Sequence, residues 1–299
     1  MVVRNVLVSA GGVHLSALTA CPEKQPARGI ILALHGGGSS ARYWNNPVGW
    51  GNSLLELGSA LGFHVLAVDR PGYGESSQID PSLTSLKQQV PILFAGLDSW
   101  CAKLKFDGPR FIIGHSVGAI LTTMMAADPG SRTLSGCAGV GVALRYSDNA
   151  AANEINSWAA QESYAPRIDA ATHRLLCFGL AGSFTEAARE YDHTCYGPMP
   201  ILEYREAMGM VNEWPTLMPT IRIPIQLTCA DAETMMVSDE KIVEDMKALL
   251  RDSVHSRVEL QRGAGHDVSA HLVGLAYHLR AVAFFEECTA LRRAGIISS

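Results

Sequence analysis

Several apolar runs break the chain into segments. Gly29 to Leu34 and Phe63 to Val68 are apolar almost without interruption, and Phe111 to Ile113 leads another run into Gly114. Runs of this length suit strands covered on both faces, as in a parallel sheet. Leu134 to Leu144, Ile223 to Cys229 and Val258 to Gln261 read as further strands. Residues 5–21 differ. Val13 to Thr19 alternates apolar and polar, and Gly11-Gly12 precedes it, so an antiparallel edge hairpin is predicted. Helical spacing fills the intervals. Leucines recur at 54, 55, 57 and 61, and a second helix spans about Leu83 to Lys103 with a break or kink at Pro91. Ser238 to Leu250 is amphipathic, and His271 to Arg293 carries a stripe of Leu272, Leu275, Leu279, Val282 and Phe285. Strands alternating with helices predict an α/β fold: a mostly parallel sheet flanked by helices. Ligands of such sheets bind beyond the carboxyl ends of the strands.

The pattern changes after Arg145. Residues 146–219 are rich in aromatics, alanines and methionines without strand periodicity, and they predict several short helices. The division is therefore 1–145 with 220–299 as a core, and 146–219 as an insertion.

Composition changes this picture little. The chain has 299 residues, 47% of them hydrophobic, which is enough to bury a large core without staples. Its net charge is −5, and lysine and arginine are scattered, so no nucleic-acid footprint is present. The seven cysteines are widely spaced and lack any C-x-x-C, which predicts free thiols in a reducing, cytoplasmic setting. No apolar stretch is long enough to span a membrane. No histidine–cysteine cluster has metal spacing, and Gly36-Gly37-Gly38 lacks the dinucleotide fingerprint, so neither metal nor cofactor is expected.

The chemistry centres on Gly114-His115-Ser116-Val117-Gly118. An apolar strand runs into this G-x-S-x-G, and a small-residue helix follows. That is the form of a nucleophile elbow, with Ser116 at the apex. A serine hydroxyl needs a base, and His266 follows a short strand; His271 is the runner-up. Asp231, just after the 223–229 strand, is the expected orienting acid, with Glu233 and Asp148 as alternatives. His35-Gly36-Gly37-Gly38, Ser116, Asp231 and His266 all follow strand ends, so they converge on one edge of the sheet.

In this set and order the chain resembles the α/β-hydrolase fold family over nearly its whole length. The matching pieces are His35 to Gly38, Asp69-Arg70-Pro71-Gly72-Tyr73-Gly74-Glu75-Ser76, Gly114 to Gly118, Asp231 and Gly265-His266. The resemblance implies that 146–219 is a helical cap and that His266 is the catalytic base. It further implies an oxyanion hole from the amides of Gly37 and Val117. The Asp69–Ser76 motif is expected to be structural. Serine at the elbow sets the chain apart from epoxide hydrolases and haloalkane dehalogenases of this fold, which use aspartate there. The implied activity is a serine hydrolase acting on an ester, thioester or lactone of an apolar small-molecule acyl substrate. A narrower resemblance, to free-standing thioesterases of polyketide pathways, would add an acyl carrier protein as a partner. Gly38, Tyr43, Trp44, Trp158, Phe178, Phe184 and Met235 are the expected pocket residues. Carbon–carbon bond hydrolysis with the same triad, or a ligand receptor on this fold, are the alternatives.

Overall fold

A computed structural model describes residues 2–23, 26–48, 53–149, 153 and 157–297. The strands are β1 (Arg4–Ala10), β2 (Val13–Ala20), β3 (Gly29–Leu34), β4 (Phe63–Val68), β5 (Arg110–His115), β6 (Gly136–Val140), β7 (Tyr164–Ala165), β8 (Met199–Pro200), β9 (Ile225–Ala230) and β10 (Ser256–Gln261). Eight of them form one sheet in the order β1-β2-β4-β3-β5-β6-β9-β10. The hairpin β1–β2 and the β2–β4 pair are antiparallel, and every pairing from β4 to β10 is parallel.

The nearly continuous apolar runs have a direct physical cause. Alternate residues of β3 enter different cores: Ile30, Leu32 and Leu34 join one cluster, Ile31 and Ala33 the other. The first core is closed by α2 (Leu86–Leu104) and α3 (Val117–Ala127), through Leu93, Leu97, Leu121 and Met125. The second contains Leu54 and Leu55 of α1 (Leu54–Ala60), together with Tyr277 and Phe285 of the C-terminal helix (Gly274–Arg293). A strand between two apolar layers has no polar face to show.

The expected break at Pro91 does not occur, and α2 runs through it. Pro91 and Lys87 are both exposed, so water can satisfy the Lys87 carbonyl that the proline leaves without its helical donor. The sixth strand is shorter than the 134–144 run suggested, because the chain turns at Gly141 with a φ of 81°.

Between β6 and β9 the insertion contains the β7–β8 ribbon and short helical turns, with α4 (Glu186–His193) and α5 (Ile201–Gly209) as its longer helices. The chain then continues through β9, α6 (Glu240–Leu249), β10 and α7 (Gly274–Arg293). All seven cysteines are unpaired. No described helix is long and apolar enough to cross a membrane.

Candidate active site

Ser116 stands between β5 and α3 with φ 52° and ψ −119°, and it is one of two described non-glycine residues with positive φ. Such a conformation costs about 1–3 kcal/mol and persists only where packing enforces it. Both elbow glycines are required by close approach. A Cβ on Gly118 would lie 2.1 Å from the Leu34 carbonyl oxygen of β3. One on Gly114 would lie 2.2 Å from the Gly118 carbonyl oxygen. The glycines thus press α3 against the sheet while the serine projects.

Ser116 and His266 line the same cavity, of about 120 Å³. Gly141 sits between them: a Cβ there would lie 3.0 Å from His266 Cε1 and 3.4 Å from the Ser116 nitrogen. Gly37, Gly38 and Val117 also line this cavity. Val117 opens α3, so its N–H is among the donors a helix leaves without an internal partner.

The carboxylate that meets His266 is not Asp231. His266 Nδ1 lies 2.6 Å from Glu233 Oε2, and both side chains are buried. The other Glu233 oxygen accepts from the amides of Thr234 (3.0 Å) and Met235 (3.2 Å). Asp231 is exposed and faces elsewhere. Its Oδ1 accepts from the amides of Gly263 (2.8 Å) and Ala264 (3.4 Å), so it shapes the turn that carries His266. The cause is local: the Asp231 amide extends the β9–β10 ladder by bonding the Gln261 carbonyl at 2.9 Å, which keeps this residue on the β10 side. Two residues later the chain has turned, and the longer glutamate reaches the imidazole. Asp148 is exposed as well.

Burial lowers the pKa of His266, but the Glu233 carboxylate outweighs it, and the net shift is upward. His271, the alternative base, is buried elsewhere. Its Nδ1 lies 2.9 Å from Ser183 Oγ, and its Nε2 accepts from the Gly265 amide at 3.1 Å. It braces the loop that presents His266.

A second buried polar group lies behind the imidazole. Asp267 Oδ1 is 3.1 Å from His115 Nε2, and its Oδ2 accepts from Tyr196 Oη at 2.9 Å. His173 Nε2 is 2.9 Å from Asp192 Oδ2 and 3.6 Å from Asp267 Oδ2. Burial alone would raise Asp267; its contacts with His115 and His173 overcome this and hold it well below the usual carboxylate range. Two sets here bring possible metal ligands together, His115–His266–Asp267 and His173–Cys177–Asp267. In both, the donors are already engaged. His266 Nδ1 is taken by Glu233 and His173 Nε2 by Asp192, and burial pushes the Cys177 thiol well up, against the thiolate a metal needs.

The expected pocket residues divide. Gly38, Trp158 and Met235 line the cavity. Tyr43 and Trp44 do not; both are fully buried below it, and Tyr43 stacks on His115 with ring centroids 4.4 Å apart. Their short 3-10 turn, Ala41–Asn45, is anchored by Asp69, which accepts from the Ala41 amide at 2.7 Å. Phe178 is buried between His173 and His271, and Phe184 packs on Phe178. Their places on the cavity wall go to Leu176 and Cys177. The helical segment Arg174–Phe178 makes this exchange by turning consecutive residues in different directions. Tyr146, Tyr196, Met199, Tyr204 and Met208 from the insertion complete much of the wall.

Comparison with known proteins agrees with this architecture. Over 93 residues the chain is 28% identical to the phospholipase YtpA of Bacillus subtilis (strain 168); the match spans 31% of this chain and only 32% of that protein. In structure it is similar to a soluble variant of monoglyceride lipase from Saccharomyces cerevisiae, with a TM-score of 0.71, 16% identity, and 96% and 95% of the two chains covered. It is also similar to a thermostable carboxyl esterase from Bacillus coagulans, with a TM-score of 0.69, 18% identity, and 97% and 99% covered. At these identities the structural likenesses speak to fold alone. The model of the alpha/beta hydrolase family matches residues 31–280, so the chain belongs to that family.

Proposed function

We propose that the protein is a serine hydrolase that cleaves a carboxylic ester or thioester of a compact apolar acyl group through an acyl-enzyme on Ser116. The observation that carries this reading is the strained Ser116 sharing a cavity with His266, whose Nδ1 contacts the buried Glu233 carboxylate at 2.6 Å. That contact favours the tautomer with the proton on Nδ1 and the lone pair on Nε2. Nε2 takes the Ser116 proton as Oγ bonds to the carbonyl carbon. The negative oxygen of the tetrahedral intermediate is held by the amides of Gly37 and Val117. The imidazolium returns the proton to the leaving oxygen or sulfur as that bond breaks. Water, deprotonated by His266 in turn, adds to the acyl carbon; the bond to Ser116 Oγ then breaks, the imidazolium returns the proton to Oγ, and the acid leaves.

The cavity limits the acyl group. An apolar cavity of about 150 Å³ holds a benzene ring. At about 120 Å³, lined by Trp158, Ile168, Leu176 and several methionines, this one is smaller and suits a short acyl chain. A long polyketide chain on a carrier protein would require the 146–219 insertion, the proposed cap, to move outward. A series of p-nitrophenyl esters tests the reading, with expected preference for butyrate to hexanoate over dodecanoate and loss of turnover in Ser116→Ala. Wild-type protein that turns over none of the series would point to carbon–carbon bond hydrolysis or a receptor.

A further inference from the structure

Arg70 and Glu203 form a buried ion pair that the chemistry above leaves unused. Both are 0% exposed, and they come from different parts of the chain: Arg70 follows β4, and Glu203 lies on α5 of the insertion. The guanidinium has two sets of partners. On one side Nη1 and Nη2 meet the Glu203 carboxylate, and Nη1 also donates to Gln89 Oε1 at 2.9 Å, whose amide nitrogen in turn donates to Glu203. On the other, Nε donates to the His35 carbonyl at 3.0 Å and Nη2 to the Gly36 carbonyl at 3.1 Å. His35 is close enough to strengthen the second contact, with Nδ1 2.7 Å from the Gly36 oxygen, while its Nε2 accepts from the Arg70 amide at 3.2 Å. Tyr73 adds a further link. Its hydroxyl donates to Glu203 Oε1 at 2.5 Å and accepts from the Gly38 amide at 3.4 Å.

The consequence follows from peptide geometry. The Gly36 carbonyl and the Gly37 N–H belong to one planar trans peptide and point in opposite directions. Fixing that oxygen on the buried guanidinium and the His35 ring turns the Gly37 N–H the other way, and Gly37 itself lines the cavity with Ser116. Glycine can flip such a peptide at little cost, so something must select one orientation. Buried ion pairs are weak sources of stability, because desolvation offsets most of their attraction. This one is placed against two carbonyls of the His35–Gly38 loop.

We propose that Arg70 and Glu203 are positioning residues for the oxyanion hole: Arg70 orients the Gly36–Gly37 peptide, and Glu203 makes that orientation depend on a seated insertion. The inference rests on the acyl transfer proposed at Ser116. Its test compares wild type, Arg70→Lys, the neutral double variant Arg70→Met/Glu203→Gln, and Tyr73→Phe. Each is assayed with p-nitrophenyl butyrate for kcat and KM, with butylboronic acid as a tetrahedral mimic, and for thermal midpoint.

Arg70→Lys keeps the charge opposite Glu203 but not the planar fork, so it is expected to fold and to lose ~10-fold or more in kcat with KM within ~3-fold. The double variant is expected to lose ~10²-fold, the low end for one oxyanion donor, and to bind the boronic acid correspondingly less tightly. If the double variant does not fold, Tyr73→Phe and Arg70→Lys decide the matter. Folded variants with near-normal kcat and boronate affinity overturn the inference, as do variants whose losses lie in KM alone. A fluorophosphonate control separates this from the parent reading. Labelling of wild type at Ser116 with unaffected variants sinks only the positioning role, whereas equal labelling of wild type and Ser116→Ala sinks the parent reading.

Discussion

The assignment of Glu233 as the orienting acid makes a directional prediction for one isosteric change. In Glu233→Gln the side chain must choose which end faces the imidazole. The position of Oε1 is set by two backbone donors, the Thr234 amide at 3.0 Å and the Met235 amide at 3.2 Å. An amide NH2 there would meet two donors, so the glutamine carbonyl oxygen takes that place and its NH2 faces His266 Nδ1. The imidazole must then accept on Nδ1 and carry its proton on Nε2, which removes the lone pair that Ser116 needs. Swapping the acid for its amide in a serine–histidine–acid triad lowers kcat by ~10⁴ for this reason, and a loss of ~10³–10⁴ is expected here. Asp231→Asn gives the contrast. It keeps an acceptor for the Gly263 amide at 2.8 Å and touches no imidazole, so kcat should stay within ~3-fold and stability within about 1 kcal/mol. The assay is steady-state hydrolysis of p-nitrophenyl butyrate, with circular dichroism to confirm folding. Glu233→Gln retaining a tenth of wild-type kcat, or Asp231→Asn falling as far as Glu233→Gln, would refute the assignment.

Other outcomes follow from the same geometry. His266 must be neutral to act as base, and its net upward shift places the rise of activity with pH above its ordinary 6.5; in Glu233→Gln the residual activity should rise at lower pH. His173 is lowered by burial but raised further by Asp192 and Asp267, to about 9 from 6.5. Its folded pKa exceeds its unfolded one, so its stabilisation is full below about 6.5 and lost as pH rises through about 9; urea midpoints should fall across that window in wild type and less in His173→Gln. Trp158→Ala should move the chain-length optimum to longer esters, because Trp158 lines the cavity. Phe178→Ala should cost about 3–5 kcal/mol in chemical unfolding without a comparable change in acyl preference, because Phe178 is core.

What the sequence made legible and what it hid have physical causes. The two-sided burial of β3 and β4 writes itself as apolar runs interrupted only by His64. The elbow is equally visible, since only glycine fits where the Leu34 carbonyl meets α3. Which carboxylate meets His266 was not legible. Asp231 and Glu233 lie two residues apart after the same strand, and the backbone of one turn decides between them. Pocket aromatics were hidden for a related reason: proximity in sequence to Gly38 does not say that the Ala41–Asn45 turn directs Tyr43 and Trp44 downward into the core. Arg70 read as part of a turn motif, and its role depends on a carboxylate 133 residues away.

The most direct measurement of the central claim is peptide mapping by mass spectrometry after reaction with a fluorophosphonate, on wild type and on His266→Ala. A single adduct on the peptide carrying Ser116, formed at least ~10²-fold more slowly in His266→Ala, is the predicted result. An adduct on another residue, or one on Ser116 that forms at the same rate without His266, would contradict the account.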